Sequence, residues 1–154
     1  MPSFNKLLLE QLDESIEHFR PAVGTPRPPK GWARAVREAL GMSAEQLGRR
    51  VGVSRETIAT LERSEARGRI TLASLEKLAR GLGCRVVYAL VPEDGGSLQR
   101  VRRKRALEVA RKQLEHVSHT MKLEAQGLSP ERERRQIERL ADDLLARGAR
   151  KLWE

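Results

Sequence analysis

The stretch from Ser43 to Glu62, Ser-Ala-Glu-Gln-Leu-Gly-Arg-Arg-Val-Gly-Val-Ser-Arg-Glu-Thr-Ile-Ala-Thr-Leu-Glu, restricts the fold more than any other part of the chain. Ser43 followed by Gln46 has the spacing of a capping box, in which hydroxyl and amide each satisfy a free backbone N–H at a helix start. Gly52 then stands where a helix must end on a positive φ, and Ser54 is placed to cap the next helix. Leu47, Val51, Val53, Ile58 and Leu61 supply apolar contacts between the two helices, and Gly48 is small where the chain crosses close above it. Two short helices joined by a sharp turn make a helix-turn-helix, and few other folds need this combination.

The flanks extend the pattern. Helical patterns at Trp32–Leu40, Ser43–Val51, Ser54 to about Ser64 and Thr71–Leu82 are separated by glycines, giving a four-helix domain over 31–83. The run Cys84-Arg85-Val86-Val87-Tyr88-Ala89-Leu90-Val91 is β-branched and aromatic and stops at Pro92, so the segment 84–92 reads as a strand. A lone strand has no partner within the chain, which predicts pairing with a second copy across a two-fold axis. Upstream, Phe4, Leu8, Leu12, Ile16 and Phe19 form an apolar stripe, making 1–20 an amphipathic helix. Pro21, Pro26, Pro28 and Pro29 make 21–30 an extended linker. Downstream, 97–126 and 130–153 read as helices, with Ser129 and Pro130 starting the second and 97–154 forming a C-terminal helical region. The expected fold class is mainly α: a helix-turn-helix domain, which resembles the lambda-repressor fold in its four-helix layout, one short dimerising strand, and helices at both ends.

Charge narrows the function. Residues 1–30 carry four cations and four acids, whereas 31–92 carry eleven cations against six acids. A surplus concentrated in the helix-turn-helix region is a footprint for a polyanion, because each cation placed on a phosphate releases counterions. The densest basic run, Arg100, Arg102, Arg103, Lys104 and Arg105, reads either as a solvated face or as a further phosphate contact. His18, His116 and His119 keep no metal-ligand spacing with cysteines or carboxylates, and there is no Gly-rich phosphate loop or nucleophile elbow. The expectation is a binding protein and not an enzyme, with no metal and no cofactor. The single cysteine, Cys84, and the absence of a long apolar run or a basic-then-apolar leader predict a cytoplasmic protein with no membrane segment.

The helix-turn-helix resembles repressors of the lambdoid phage type, the XRE family. That resemblance implies that Arg55, Glu56 and Thr60 face base edges in double-stranded operator DNA, with Ser54 and Thr57 near the backbone. Arg55 suits guanine, whose O6 and N7 match a planar guanidinium; Glu56 can accept from cytosine or orient Arg55. Ser43 and Gln46 would meet phosphate at the start of the preceding helix. The resemblance also assigns Arg37 and Glu62 to a structural ion pair.

Over nearly its whole length the chain resembles the mobile mystery protein A family. The features are Phe19-Arg20-Pro21, Arg27-Pro28-Pro29-Lys30-Gly31-Trp32, Tyr88-Ala89-Leu90-Val91-Pro92, His119-Thr120-Met121 and Arg150-Lys151-Leu152-Trp153. This implies a neighbouring Fic-domain toxin, an enzyme fold that commonly transfers AMP from ATP, and a role for this chain as its antitoxin and autorepressor. Antitoxins of that kind carry Ser or Thr, three residues, then Glu and a Gly or Asn. Thr120 and Glu124 have the spacing, and Ala125 departs from the pattern. Thr120 and Glu124 would share a helix face toward the toxin; the plainer reading is a solvent-exposed glutamate. The alternative for the whole chain is a stand-alone XRE-family transcriptional regulator with no toxin partner.

Overall fold

The computed structural model describes residues 4–121 and 129–154. Among them are seven α-helices: α1 (Phe4–Glu17), α2 (Trp32–Ala39), α3 (Ala44–Val51), α4 (Arg55–Ala66), α5 (Leu72–Gly81), α6 (Leu98–Met121) and α7 (Pro130–Ala146). Single 3-10 turns occur at Arg20–Ala22 and Ala149–Trp153. The chain divides into two compact units, one spanning Gly24–Ala89 and the other built from the segments up to Val23 and from Leu90 onward. No described helix is long and apolar enough to cross a membrane.

In the unit of residues 24–89, α2 to α5 close around Ala33, Leu47, Ile58, Leu78 and Leu82, with Val36, Val51, Val53 and Leu61 packed on the margin. Leu47, Ile58 and Leu78 are completely buried. Each contributes about 1.5–3 kcal/mol of burial. The helix starts are chemically specified. Ser43 Oγ accepts from Gln46 N at 3.1 Å while Gln46 Oε1 accepts from Ser43 N at 2.7 Å. Ser54 and Thr71 accept from Thr57 N and Ser74 N in the same way at the starts of α4 and α5. Gly52 ends α3 at φ +78°. A Cβ on Gly48 would lie 2.5 Å from the carbonyl oxygen of Val53, so the turn requires glycine there to let the backbone pass.

The other unit is held differently. Helices α6 and α7 meet on the buried residues Ala106, Ala110 and Ala141, and the C-terminal turn drives Leu152 into the same cluster. The Asp13 carboxylate of α1 accepts from the backbone N–H of Leu98 at 2.6 Å and of Gln99 at 3.2 Å, capping the first turn of α6. The buried face of α1 therefore runs through Asp13 and Ile16, while Leu8 and Leu12 are 43% exposed. The apolar stripe expected from the sequence is rotated because capping α6 turns Asp13 inward.

Three further expectations change. No strand forms at 84–92 or elsewhere among the described residues. Within that segment, among the described residues, Cys84 N donates to Ala79 O as the tail of α5 and Pro92 O accepts from Gly95 N in the following turn, with no ladder bond between; a strand needs a ladder partner and the single chain offers none. Helix α7 stops at Ala146, because Gly148 takes φ +110° and the chain turns back as a 3-10 turn. Pro21 lies within a 3-10 turn, not in an extended linker.

Candidate nucleic-acid interface

Helix α4 begins on the Ser54 cap and immediately presents Arg55 and Glu56, both exposed and without a side-chain partner among the described residues. Two unpaired, opposite charges side by side on a first helical turn are free to meet polar groups from outside. Thr60, one turn on, is also exposed, and its hydroxyl accepts from Arg63 Nη2 at 3.2 Å. Thr60 thus orients an arginine as well as offering its own oxygen. Beside this row the hydroxyls of Ser54 and Thr57 lie 2.9 Å apart. Because Ser54 and Ser43 Oγ accept backbone N–H bonds, each can still direct its own O–H outward to an acceptor. Gln46 uses its oxygen in the cap, which leaves its NH₂ as a donor at the exposed start of α3.

What holds α4 in place lies underneath. Arg37 and Glu62 make a two-pronged ion pair, Nε to Oε1 at 2.6 Å and Nη2 to Oε2 at 3.0 Å, and Arg37 Nη1 also donates to Met42 O at 2.9 Å. One guanidinium thereby ties α2, α4 and the α2–α3 turn. Its bond to Glu62 raises the Arg37 pKa above the ordinary value against the opposing effect of burial.

A second anchor is Glu65, 3% exposed. Its carboxylate accepts from Trp32 N at 2.7 Å and Ala33 N at 2.9 Å, capping α2 from the end of α4. Gly31, at φ +84°, packs so closely that a Cβ would come within 2.8 Å of Glu65 Oε2. Arg27 in turn donates to the carbonyls of Glu65 and Ala66, both at 3.4 Å. Neither Glu65 nor Arg27 emerges from the sequence reading. Glu65 was within reach, since it lies three residues after Glu62 and so shares its face of α4. Arg27 was not, because its partners are 38 and 39 residues away.

Residues 34–88 match the family model described as Helix-turn-helix. This segment is an XRE-type helix-turn-helix domain. No curated protein and no solved structure matches the chain. In a helix-turn-helix the second helix is the one that enters the major groove with its N-terminal residues at base edges. Here that helix is α4, and the turn before it is the one built on Gly48, Gly52 and Ser54. The domain marks the protein as a DNA-binding regulator of transcription.

The basic run after residue 100 has another use. Arg102 Nη2 donates to Leu145 O at 3.2 Å, Arg105 Nε donates to Leu152 O at 2.7 Å and sits 5.9 Å from the Trp153 ring centre, and Arg103 pairs with Asp142. These arginines fasten α6 to α7 and to the C-terminal turn. Thr120 belongs to the last turn of α6, and Glu124 lies outside the described residues.

Proposed function

We propose that the protein binds a specific operator through α4 of its helix-turn-helix, represses transcription from it, and acts by binding and not by catalysis. The observation that carries this reading is the unpartnered Arg55–Glu56 pair on the exposed first turn of α4, held over the buried Arg37–Glu62 ion pair and the Glu65 carboxylate anchor. Arg55 and Glu56, with Thr60, are assigned to base edges; Ser43, Gln46, Ser54 and Thr57 are assigned to the sugar–phosphate backbone. The test is binding of Arg55→Ala to a duplex selected by the wild-type protein and to a scrambled duplex. A loss of roughly 1–3 kcal/mol on the selected duplex only is expected. Equal loss on both would make Arg55 a phosphate contact.

The operator-bound form is a homodimer in this reading. Residues 85–91 make no main-chain hydrogen bonds among the described residues, and Val87, Tyr88 and Leu90 are 69%, 67% and 89% exposed. An apolar segment with free backbone groups favours a second copy of the same segment, with half-sites about 34–36 Å apart or a multiple of that. Sedimentation of Tyr88→Asp tests it: a shift to monomer is expected.

We infer further, from the resemblance in both flanks, that the other unit binds a Fic-domain toxin in the cytoplasm and restrains it. The exposed apolar residues Leu7, Leu8 and Leu12 on α1 favour a protein partner for this unit. AMP transfer by the neighbouring Fic-domain protein should fall when this protein is added and return with Glu124→Gly still bound. No effect of the wild-type protein on transfer would leave a stand-alone regulator.

A further inference from the structure

Beside the recognition helix lies a groove of about 370 Å³ between α2 and α4, walled by Lys30, Arg34, Arg55 and Arg63. Its one lining carboxylate, Glu62, is already neutralised by Arg37. The small side chains of Ala44, Ala59 and Ala66 complete its lining. None of the four belongs to a flexible tail. Arg63 is steadied by the Thr60 hydroxyl. Arg34 is held through Nε by Glu38, which leaves its two terminal nitrogens free of a described partner. Lys30 is placed by its neighbours: Gly31 packs against Glu65, Gly31 N donates to Pro28 O at 2.9 Å, and Arg27 is tied to the carbonyls at the end of α4.

The charge of this groove is continuous with the base-reading row, since Arg55 belongs to both. From Arg55 to Arg63 the helix rises about 12 Å, a length over which one strand of duplex DNA presents about three phosphates along its axis. We propose that this groove is a phosphate track: the DNA backbone flanking the bases read by α4 seats along it, held by Lys30, Arg34 and Arg63. The proposal rests on the DNA-binding reading above and adds three contacts to it. The linker before α2 is then part of the DNA interface, positioned by Arg27 and Glu65.

The experiment compares the wild-type protein with Lys30→Gln/Arg34→Gln/Arg63→Gln and with the single exposed variant Lys30→Glu. The probes are a duplex selected from a random pool by the wild-type protein and a scrambled duplex of equal length, each titrated from 50 to 200 mM salt. Each lost phosphate contact removes about 0.9 from the slope of log affinity against log salt. The triple variant is expected to lower that slope by roughly 2 to 3 and to weaken binding by the same factor on both duplexes. Lys30→Glu should weaken both equally without altering the thermal unfolding midpoint. An unchanged slope in a folded triple variant overturns the phosphate track while the base-reading role of α4 stands. Loss confined to the selected duplex also overturns it, by making these residues base readers. Failure of the wild-type protein to bind either duplex fails the DNA-binding reading itself.

Discussion

Residues 24–89 close on large aliphatic side chains, Leu47, Ile58 and Leu78, whereas α6 and α7 meet on Ala106, Ala110 and Ala141. Arginines tie main-chain carbonyls in both units, as Arg27, Arg37 and Arg50 do in residues 24–89, and the difference lies in which arginines are left over. In the helix-turn-helix one arginine, Arg37, is buried against a carboxylate, and Arg55 and Arg63 stay exposed on α4. In the other unit Arg102 and Arg105 are turned onto carbonyls of the neighbouring helix and C-terminal turn. Large side chains interlock and fix helix angles by shape, which frees surface cations for a ligand. Small alanines bring α6 and α7 close at the centre, Leu107, Ile137, Leu140, Leu144 and Leu145 pack around them, and arginines at the margin add ties to the neighbouring carbonyls. A basic run is therefore informative about DNA only after its internal partners are known.

The comparison breaks most visibly at Glu62. Glu62→Ala leaves the Arg37 guanidinium buried without its carboxylate and should cost about 3–5 kcal/mol in the stability of the helix-turn-helix. Hydrogen exchange resolved by segment should show the loss in α2 to α5 and leave α6 and α7 protected. Loss spread over both units would mean that they unfold as one. Next in size, Ala141→Leu forces a larger side chain into the alanine seam and should destabilise α6 and α7 by about 1–3 kcal/mol. Urea unfolding followed by the same exchange measurement would sharpen the contrast if α2 to α5 were unaffected.

Smaller effects test the division of labour among the arginines. Arg103→Ala removes an ion pair whose side chains are 40% and 64% exposed. It should cost only about 0.2–1 kcal/mol and leave the salt dependence of DNA binding as it was. A shallower salt slope would show that this part of the chain also touches phosphate. The smallest effect is a pH dependence. The hydrogen bond from Arg34 holds Glu38 below the usual carboxylate range. A carboxylate lowered by folding adds stability above its unfolded pKa and loses it as pH falls through the folded value. The stability difference between wild type and Glu38→Gln should thus be level near neutrality and shrink only in acid, measured by urea unfolding across pH.

Much of the helix-turn-helix was legible because its signals are local. Ser43 with Gln46, Ser54 with Thr57, and Gly52 at the end of α3 act within four residues of themselves, so the order of residues carries their geometry. Periodicity likewise located Leu47 and Ile58 in the core. The stripe on α1 misled because amphipathicity assigns an aspartate to solvent, and only the approach of α6 makes Asp13 a buried cap. The run Cys84 to Val91 misled for a related reason: strand propensity is local, whereas a strand exists only with a partner.

By itself the sequence determined the capped helices, the glycine turn and the row of polar residues that opens α4. Only the tertiary structure decided which charges remain available to a ligand. Arg27, Glu65 and the arginines after residue 100 acquire their roles from groups far along the chain, brought near only when the helices pack. A guanidinium left without an internal acceptor can meet a phosphate, and one already bound to a carbonyl has donors to spare but a fixed direction.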